Sequence, residues 1–361
     1  MVLERTSVGL DVHARSIVAG VLDVETGELW SERLPVATEA VLGWVGSLPG
    51  PVAVASEAGP TGFGLARGLE QLGVRCVVVA PSKLERPPGD RVKTDRRDAE
   101  RLARLLHIGE LPAVRVPTVA EEAARDLVRA REDARADLMR ARHRLSKLLL
   151  RYGLVWSGAA WTQAHGRWLA SVGRELDQPG LRVAFDEAYG AVLAVQARRD
   201  RLDTAIGELA ATPPWAPVVA RLGCLRGVGV LTSFGLAVEV GDWQRFTGAT
   251  IGAWLGLVPS EQSSGSRRAQ GSITKTGNSH ARRLLVEAAW HHRKPYRPSR
   301  DLQARHAGQP AAVRERADRG NRRLHHRWCR LDARAKRSTI SVVAVARELA
   351  GWCWSLAVLE A

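Results

Sequence analysis

Apolar and polar residues alternate in a way that divides the N-terminal third of the chain into short strands and helices. Three short apolar runs, separated by turns, open the chain and predict an antiparallel meander. Buried-strand patterns then alternate with helical patterns, which predicts a mixed α/β sheet covered by helices. The predicted elements, in the order β-β-β-α-β-α-β-loop-α, lie at residues 6–12, 16–23, 27–34, 37–48, 51–58, 61–73, 74–81, 81–90 and 95–107. The pattern leaves open whether the loop contains one further short strand.

The middle of the chain has the pattern of long helices. Between Leu127 and Leu148, apolar residues recur every three or four positions with charges between them, which predicts a long amphipathic helix or a coiled-coil arm. A second helical pattern at residues 185–211 could return antiparallel to the first. The prolines of residues 212–217 then break the chain.

The C-terminal part is predicted to be mainly helical. Residues 222–246 have the pattern of two helices joined by a Gly-x-Gly turn, a motif whose turn amides commonly hold a phosphate. A helix, a long polar loop and another helix follow at residues 247–259, 260–278 and 279–292. Residues 300–325 are rich in arginine and have no clear pattern.

An apolar stretch near the C-terminus bears on membrane binding. Residues 337–359 are predicted to form an apolar helix, but Arg347 and Glu348 favour burial in the fold or in an interface over burial in lipid. The N-terminus lacks the pattern of a signal peptide, and no terminal basic amphipathic anchor stands out. We therefore expect a cytoplasmic, nucleoid-associated protein without a membrane partner.

The strongly basic composition changes the expected class of partner. The 361 residues include 53 Lys and Arg against 38 Asp and Glu, so the net charge is +15, with an isoelectric point near 10.7. Such a protein most often binds a polyanion, largely through phosphates and without sequence readout. The four cysteines form no C-x-x-C pair, which argues against a zinc ribbon or a disulfide framework and for a reducing compartment.

Four carboxylates fall where the predicted sheet could bring them together. Asp11 ends the first strand, Glu57 ends the fourth, and Asp95 and Asp98 open the helix after the sheet. If the first and fourth strands are neighbours, these acids converge at one edge. Converging acids raise one another's pKa and are tolerated mainly when divalent cations neutralise them. Two Mg²⁺ ions about 3.5–4 Å apart are a standard device for displacement at phosphate.

Each of these acids also has an ordinary structural explanation. Asp11 is a common kind of strand-end acid, Asp95 suits a helix N-terminus, and Glu57 could cap the following helix. Taken singly, these explanations are the better ones. Taken jointly, they would all have to coincide at one sheet edge, so the joint pattern favours a metal site.

The stretches that carry these acids, VGLDVHARS, SEAGPTGFGLARGL and KTDRRDAERLA, resemble a known family. They are similar to the three blocks of the DEDD transposases of bacterial insertion sequences, the insertion-sequence-one-ten family. Residues 225–290 resemble the C-terminal transposase domain of the same family. The resemblance implies an RNase H-like, RuvC-like α/β domain at residues 1–112. It also implies an α-helical coiled-coil arm at residues 113–213 and a mainly α transposase domain at residues 214–361.

The resemblance also implies roles for individual residues. The family's metal-binding tetrad falls on Asp11, Glu57, Asp95 and Asp98. Its catalytic serine falls on Ser264, with Ser263 as the alternative because this chain doubles the serine. The family's members are recombinases that excise and insert their element. The resemblance implies a structured guide RNA that pairs with donor and target DNA, and a homo-oligomer, a dimer or a tetramer, whose active-site halves meet across subunits.

The predicted catalytic serine lies in a polar loop with glycine and basic neighbours, which could approach a phosphodiester. A serine nucleophile needs activation, and the metals of the tetrad are the candidate because no histidine lies adjacent. The alternative is a flexible loop that only contacts phosphates. Nucleic-acid contacts are expected for Lys93, Arg96, Arg97, Arg267, Arg268, Lys275, Asn278, Arg282 and Arg283. His291 and His292 are expected to be surface or core residues, and His325 and His326 to touch nucleic acid.

The sequence therefore predicts a DNA transposase or recombinase that uses metal-bound carboxylates and a serine nucleophile. One alternative is a RuvC-like, metal-dependent, structure-selective endonuclease in which water attacks and Ser264 only binds phosphate. A covalent protein–DNA adduct would separate these two functions. The other alternative is a nucleic-acid-binding protein without catalysis, against which the intact tetrad argues.

Overall fold

The computed structural model describes residues 4–84, 94–265 and 268–359. The chain forms two compact units, Met1–Thr118 and Val119–Ala361, and each has its own hydrophobic core. The three-part division predicted from the sequence, with boundaries after residues 112 and 213, remains a prediction.

A five-stranded mixed sheet with three helices forms the first unit. Its elements are β1 Thr6–His13, β2 Ser16–Asp23, β3 Leu29–Leu34, α1 Thr38–Gly46, β4 Val52–Glu57, α2 Gly64–Gln71, β5 Arg75–Val79 and α3 Asp95–His107. The strand order is β3-β2-β1-β4-β5, with β1 antiparallel to β2 and parallel to β4. The predicted meander and the predicted pairing of the first and fourth strands are confirmed. A 3-10 turn at Pro81–Lys83 follows β5, and residues 85–90 of the predicted loop lie outside the described residues.

The two faces of the sheet carry different kinds of residue. On one face, large apolar side chains such as Val8, Leu10 and Val21 pack against α1 and α2. The opposite face of β4 carries Ala53 and Ala55, which pack with apolar residues of β5 and α3. Because side chains alternate along a strand, each strand can present bulky residues to one layer and small residues to the other. The small face allows α3 to approach the sheet closely.

Helix α3 rests with its backbone on a pair of glycines. Gly9 of β1 and Gly20 of β2 are partners in the strand register. A Cβ atom on Gly9 would lie 2.1 Å from the carbonyl oxygen of Ala99, and one on Gly20 would lie 2.4 Å from the amide nitrogen of Glu100. Any side chain at either position would therefore push the helix away from the sheet.

Helix α3 begins where its sequence indicates. The Thr94 hydroxyl accepts a hydrogen bond from the Arg97 amide at 3.3 Å, which caps the first turn. The residues that face the sheet recur every three or four positions and are Ala99, Leu102, Ala103 and Leu106. The helix predicted at residues 95–107 is confirmed, and Leu105, beside this buried stripe, is half-buried.

Two long antiparallel helices and a shorter one begin the second unit. They are α4 Val119–Arg151, α5 Gln163–Glu175 and α6 Pro179–Ala210. The Nε atom of Arg131 lies 2.7 Å from Oδ1 of Asp203, and Arg142 donates to Gln196 at 3.3 Å, so residue numbers rise along α4 as they fall along α6. The antiparallel return is confirmed, α5 was not predicted, and a coiled-coil arm remains a prediction.

The other elements of the second unit surround one apolar core. The helices are α7 Trp215–Leu222, α8 Val230–Val240, α9 Ile251–Trp254, α10 Ser279–Ala289, α11 Arg300–Ala307, α12 Ala311–Asp332 and α13 Ser338–Ala357. A 3-10 turn at Trp290–Arg293 follows α10. A two-stranded antiparallel hairpin of β6 Pro259–Glu261 and β7 Gln270–Ile273 lies between α9 and α10 along the chain. The long polar loop predicted at residues 260–278 therefore contains regular structure.

Two other expectations for this unit need correction. The helix predicted over residues 247–259 is limited to α9, because Gly256 takes a φ of +64° that ends the helical path. Residues 300–325, which showed no clear pattern, form α11 and most of α12. The buried stripe of α12 includes the small residues Ala317 and Gly320, which add little hydrophobicity, and its other faces are rich in arginine. The apolar periodicity of this helix is therefore weak in the sequence.

Helix α13 is the one helix in the described part of the chain whose length and composition would allow it to cross a membrane. Half of its apolar window is buried. Val345, Leu349 and Leu356 lie in the core that α13 shares with α10 and α12. Of the two predicted alternatives, burial in the fold or in an interface, the structure shows burial in the fold for this half of the helix.

We predict that Gly20→Ala destabilises the protein by about 1–3 kcal/mol, the usual cost of overpacking, because the new methyl group collides with the α3 backbone. Gly43→Ala is the matched control, because a Cβ at this exposed helical position meets no atom within 4 Å. The control should be neutral or stabilising by up to about 1 kcal/mol. Urea unfolding measures both variants, and equal midpoints would contradict the close packing of α3.

Candidate functional site

Two central strands end at the same edge of the sheet, and α3 begins there. The last paired residues of β1 and β4 are Leu10 and Ser56, and the acids Asp11 and Glu57 follow them directly. Asp11 lies two positions after Gly9, so it shares the face on which α3 rests. The first turn of α3 contributes Asp95 and Asp98. The strand register and the start of the helix therefore place the predicted acids at one edge.

Asp11, His13 and Asp95 form a group of three possible metal ligands, the one such group among the described residues. One ligand atom from each of the three lies within 4.8 Å of the others. The Nε2 atom of His13 lies 3.2 Å from Oδ1 of Asp11. The Asp11 side chain is 12% exposed and that of His13 is 55% exposed, so the group extends from the protein interior to the solvent.

The two remaining predicted acids complete the surroundings of this group. Asp98 lies close enough to raise the pKa of Asp11 by charge repulsion. Glu57 and Asp98 line one small cavity of about 30 Å³, together with Arg101. The structure therefore brings Asp11, Asp95 and Asp98 together and places Glu57 beside Asp98.

The electrostatics of Asp11 are those of a carboxylate without enough compensation. Burial raises its pKa above the ordinary value, and the charges of Asp95 and Asp98 raise it further, while His13 opposes the shift. A cation bound among these oxygens would offset the energetic cost of the buried Asp11 charge and would neutralise the repulsion between the carboxylates. Carboxylate oxygens are hard ligands that suit Mg²⁺ or Mn²⁺, and an imidazole nitrogen is compatible with Mn²⁺ or Zn²⁺. The donor set therefore fits a divalent cation.

His13 was not among the residues predicted for the site. It belongs to the group because it lies two positions after Asp11 on β1, and side chains on a strand share a face at that spacing. An exposed histidine beside a turn is common, so His13 did not stand out in the sequence. The alternation from Asp11 to His13 is the signal that could have identified it.

The basic residues around the start of α3 have mixed placements. Lys93 lies outside the described residues. Arg96 is exposed, and its Nε atom lies 2.7 Å from Glu100 of the same helix. Arg97 is exposed, and its backbone amide takes part in the helix cap. Contact of these side chains with nucleic acid remains a prediction.

The predicted serine loop forms the hairpin of β6 and β7. Ser263 donates a hydrogen bond from Oγ to Oε1 of Glu261 at 2.9 Å. Arg268 and Gln270 donate to the other oxygen of the same carboxylate at 3.2 and 3.0 Å. These hydrogen bonds lower the pKa of Glu261, which is exposed. Glu261 therefore organises the hairpin, a role that the sequence did not indicate.

Ser264, the predicted nucleophile, is exposed next to Gly265 at the hairpin end. Its hydroxyl has no hydrogen-bond partner among the described residues, which omit Ser266 and the predicted phosphate ligand Arg267. The hydroxyl of Ser263 is committed to a carboxylate, as described above. The two serines therefore differ in the availability of the hydroxyl, although they are neighbours.

The base of the hairpin is held tightly against α9. A Cβ atom on Gly277 would lie 1.9 Å from the carbonyl oxygen of Trp254. Arg282 bridges the carbonyl oxygens of Leu255 and Thr276 at 2.8 and 2.9 Å. Lys275, between β7 and α10, is exposed. Of the basic residues predicted here, Lys275 is thus presented outward, whereas Arg282 has a structural role.

A buried ionic network adjoins the hairpin. Glu239 of α8 is 2% exposed and accepts hydrogen bonds from Arg129, Asn278 and His280. These donors outweigh the burial and lower the pKa of Glu239 to about 2. This network was not predicted, because Glu239 is a single acid in an apolar helix. The apolar context of Glu239 is the signal that could have indicated it, since a buried acid requires hydrogen-bonding or charged partners.

Two residues predicted to contact nucleic acid belong to this framework. Asn278 caps α10 by accepting from the Ala281 amide at 2.9 Å, while its amide group donates to Glu239. Arg283 pairs with Glu132 of α4 and with Glu287 of α10. Their geometry supports a structural role, and contact with nucleic acid remains a prediction.

The histidine pairs also differ from one another. His292 is fully buried, and burial lowers its pKa to about 3, whereas His291 is exposed. His325 lies 3.0 Å from the carbonyl oxygen of His292, and His326 is exposed. Burial of His292 and surface placement of His291 are therefore the two alternatives that the sequence left open.

We predict that Asp11→Asn stabilises the metal-free protein by about 1 kcal/mol, because it removes a buried, repelled charge. Since folding raises the pKa of Asp11, the ionised carboxylate destabilises the fold at high pH, and this loss disappears as the pH falls. Mg²⁺ should raise the melting temperature of the wild type and not that of the variant. Exposed Glu110→Gln is the control, and a Mg²⁺ response in Asp11→Asn would contradict the site.

The pKa of Glu239 predicts the opposite pH dependence. Because folding lowers this pKa from 4.5 to about 2, Glu239 stabilises the fold above pH 4.5, and the stability is lost as the pH falls towards 2. Glu239→Gln should cost about 3 kcal/mol at neutral pH and flatten the acid dependence of unfolding. Urea midpoints across this range measure the effect against Glu287→Gln, an exposed acid of α10. Parallel curves for the two variants would exclude the predicted role of Glu239.

Comparison with known proteins adds independent support. Residues 219–304 match the model of the family described as transposase, IS116/IS110/IS902 family, and residues 8–154 match the DEDD transposase domain of IS110 elements. A protein of Sinorhizobium fredii named y4qE, an inferred transposase, is 44% identical over 83% of this chain and 74% of its own. The transposase for insertion sequence element IS1533 of Leptospira borgpetersenii is 32% identical over 91% of this chain and 97% of its own.

The matched regions contain the residues described above. The match over residues 8–154 includes Asp11, Glu57, Asp95 and Asp98, and the match over residues 219–304 includes the serine hairpin. The chain covers at least about three quarters of both relatives, so the similarity extends well beyond single motifs. This chain belongs to the IS110/IS116/IS902 family of transposases.

Proposed function

We propose that this transposase cleaves and exchanges DNA strands with a divalent-metal centre and a serine nucleophile, and thereby excises and inserts its element. The observation that carries the metal centre is the group of Asp11, His13 and Asp95, whose ligand atoms lie within 4.8 Å of one another. The family membership supports DNA as the substrate. The net charge of +15 supports binding to a polyanion.

Asp11, Glu57, Asp95 and Asp98 would hold two Mg²⁺ ions. Mg²⁺ at this site would stabilise charge on a phosphodiester and activate an attacking oxygen. The carboxylates themselves fix the position of the phosphate by fixing the cations. The rigid contact of α3 with Gly9 keeps Asp95 and Asp98 at the strand ends where Asp11 and Glu57 lie.

Ser264 would attack the DNA backbone. A bond forms between its Oγ and phosphorus, its proton is released to water, and the bond from phosphorus to one sugar oxygen breaks. That sugar oxygen takes up a proton, and a phosphoserine link holds the other strand end. Strand exchange follows when a second sugar hydroxyl displaces Ser264. The exposed hydroxyl of Ser264, in contrast to the bonded one of Ser263, supports this choice of nucleophile.

Specificity for particular DNA sites would come from a guide RNA. Basic side chains that bind phosphates recognise charge and shape more than sequence, so base pairing with a bound RNA is an economical source of sequence recognition. The same basic composition that suits DNA suits such an RNA. A homo-oligomer, a dimer or a tetramer, would bring together the strand ends to be exchanged, and the long helices α4 and α6 suit an assembly role.

A metal-dependent endonuclease without a covalent intermediate is the second candidate. The observation that favours it is the lack of a base beside Ser264 among the described residues. The nearest carboxylate in the hairpin, Glu261, binds Ser263 and has a lowered pKa, so it is a weak base. In this function water attacks the phosphodiester, and Ser264 only contacts phosphate.

We predict that Ser264→Ala abolishes strand cleavage in a plasmid recombination assay, while DNA binding is unchanged. Ser263→Ala is the matched control and should retain activity, because its hydroxyl is bound to Glu261. A covalent protein–DNA adduct, trapped by denaturation during the reaction, should form in the wild type and the control. Cleavage by Ser264→Ala without an adduct would favour the endonuclease. Loss of activity in Ser263→Ala but not in Ser264→Ala would identify Ser263 as the nucleophile.

A further inference from the structure

A cavity of about 290 Å³ lies at the carboxyl ends of β1 and β4, beside the acid group. Its walls come from four parts of the first unit: the strand ends, the start of β2, the start of α1 and the glycine-rich turn that leads into α2. The volume is close to the lower end of the range for sites that bind small molecules. The cavity is therefore large enough for a single nucleoside-sized group.

The cavity and the acid group share residues. His13, which lies 3.2 Å from Asp11, lines the cavity. Glu57, which lines the small cavity with Asp98, also lines this one. The cavity lies on the face of the sheet covered by α1 and α2, whereas Asp11 lies on the face covered by α3, and the two meet at the edge where His13 and Glu57 lie. A molecule whose phosphate lies at the acids would therefore reach the cavity around this edge.

The chemistry of the walls selects a flat, uncharged group. Ile17, Val41 and Leu65 provide apolar surface, and Thr38 and Thr61, which each carry a hydroxyl group, also line the cavity. No Lys or Arg is among the described residues that line the cavity, so a phosphate would find no cationic partner there. Apolar walls with a few hydroxyl groups suit a nucleobase, which has apolar faces and polar edges.

The turn before α2 adds donors to the rim. No side chain caps this helix, so its first amides remain available beside the glycines of the turn. Gly62 has a φ of +72°, a conformation that side chains disfavour, and it lines the cavity with Gly64. Backbone amides at such a rim can donate to the acceptor atoms on the edge of a base.

We propose that this cavity accepts the nucleobase and deoxyribose next to the phosphodiester that is held at the acid group. The proposal rests on the proposed function, because the acid group must first position the phosphate. The nucleoside leaves the base stack and packs against the walls from Ile17 to Leu65. The cavity then fixes which phosphate in a strand is placed at the metal.

The test uses the full-length protein, Mg²⁺ and two probes, inorganic phosphate and deoxyadenosine monophosphate, with calorimetry as the readout. The wild type should bind the nucleotide at least about tenfold more tightly than phosphate, the gain expected from contacts to one base. Val36→Trp and Thr61→Trp should each remove this gain, because both exposed residues line the cavity. Leu72→Trp, an exposed position outside the cavity lining, is the control and should bind both probes like the wild type.

Equal affinities for the two probes in the wild type would overturn the proposal, as would full nucleotide affinity in both cavity variants. Melting temperatures near that of the control verify that the variants are folded. Failure of the metal centre has a different result: phosphate would bind equally with and without Mg²⁺ in every variant. The two proposals can therefore fail separately.

Discussion

The contact between the α3 backbone and the paired glycines of β1 and β2 determines the architecture of the first unit. The space beside Gly9 and Gly20 is filled by backbone atoms of Ala99 and Glu100. A side chain at either glycine therefore could not be accommodated by a change of rotamer in α3. The same strand face that carries Gly9 carries the buried Asp11 two residues later. Close packing and the acid group are therefore consequences of one alternation along β1, and a change in one disturbs the other.

The strands and the acids of the first unit could be predicted because they follow simple periodicities. Parallel neighbours end at the same edge, so Asp11 and Glu57 had to be close once β1 and β4 were adjacent. The contribution of His13 was missed because the first strand was predicted to end at residue 12, whereas β1 continues to His13 and so keeps it on the face of Asp11. The hairpin at Ser264 was also missed, since its short strands are polar and are held by Glu261 and by the base of the loop.

Failures in the second unit have another cause. Helix α12 packs through Ala317, Gly320 and a few large residues, so hydrophobicity along the sequence is weak although the buried stripe is continuous. The partners of Glu239 come from α4 and α10, more than 35 residues away along the chain. Local patterns cannot report such pairings, because they arise only when distant helices pack together. The family-level motifs were informative here where periodicity was not.

Asp11 and Glu239 show how the fold treats two buried acids in opposite ways. Three side chains donate to Glu239, and its pKa falls to about 2, as expected for a carboxylate that stabilises a framework. Burial raises the pKa of Asp11, the charges of Asp95 and Asp98 raise it further, and His13 opposes the shift only in part. A site that leaves a carboxylate short of donors lowers stability unless something positive binds there. The same chemical group thus has a raised pKa at Asp11 and a lowered pKa at Glu239. This contrast is the strongest physical reason to regard the edge of the sheet as a cation site and the ionic network of Glu239 as part of the structural framework.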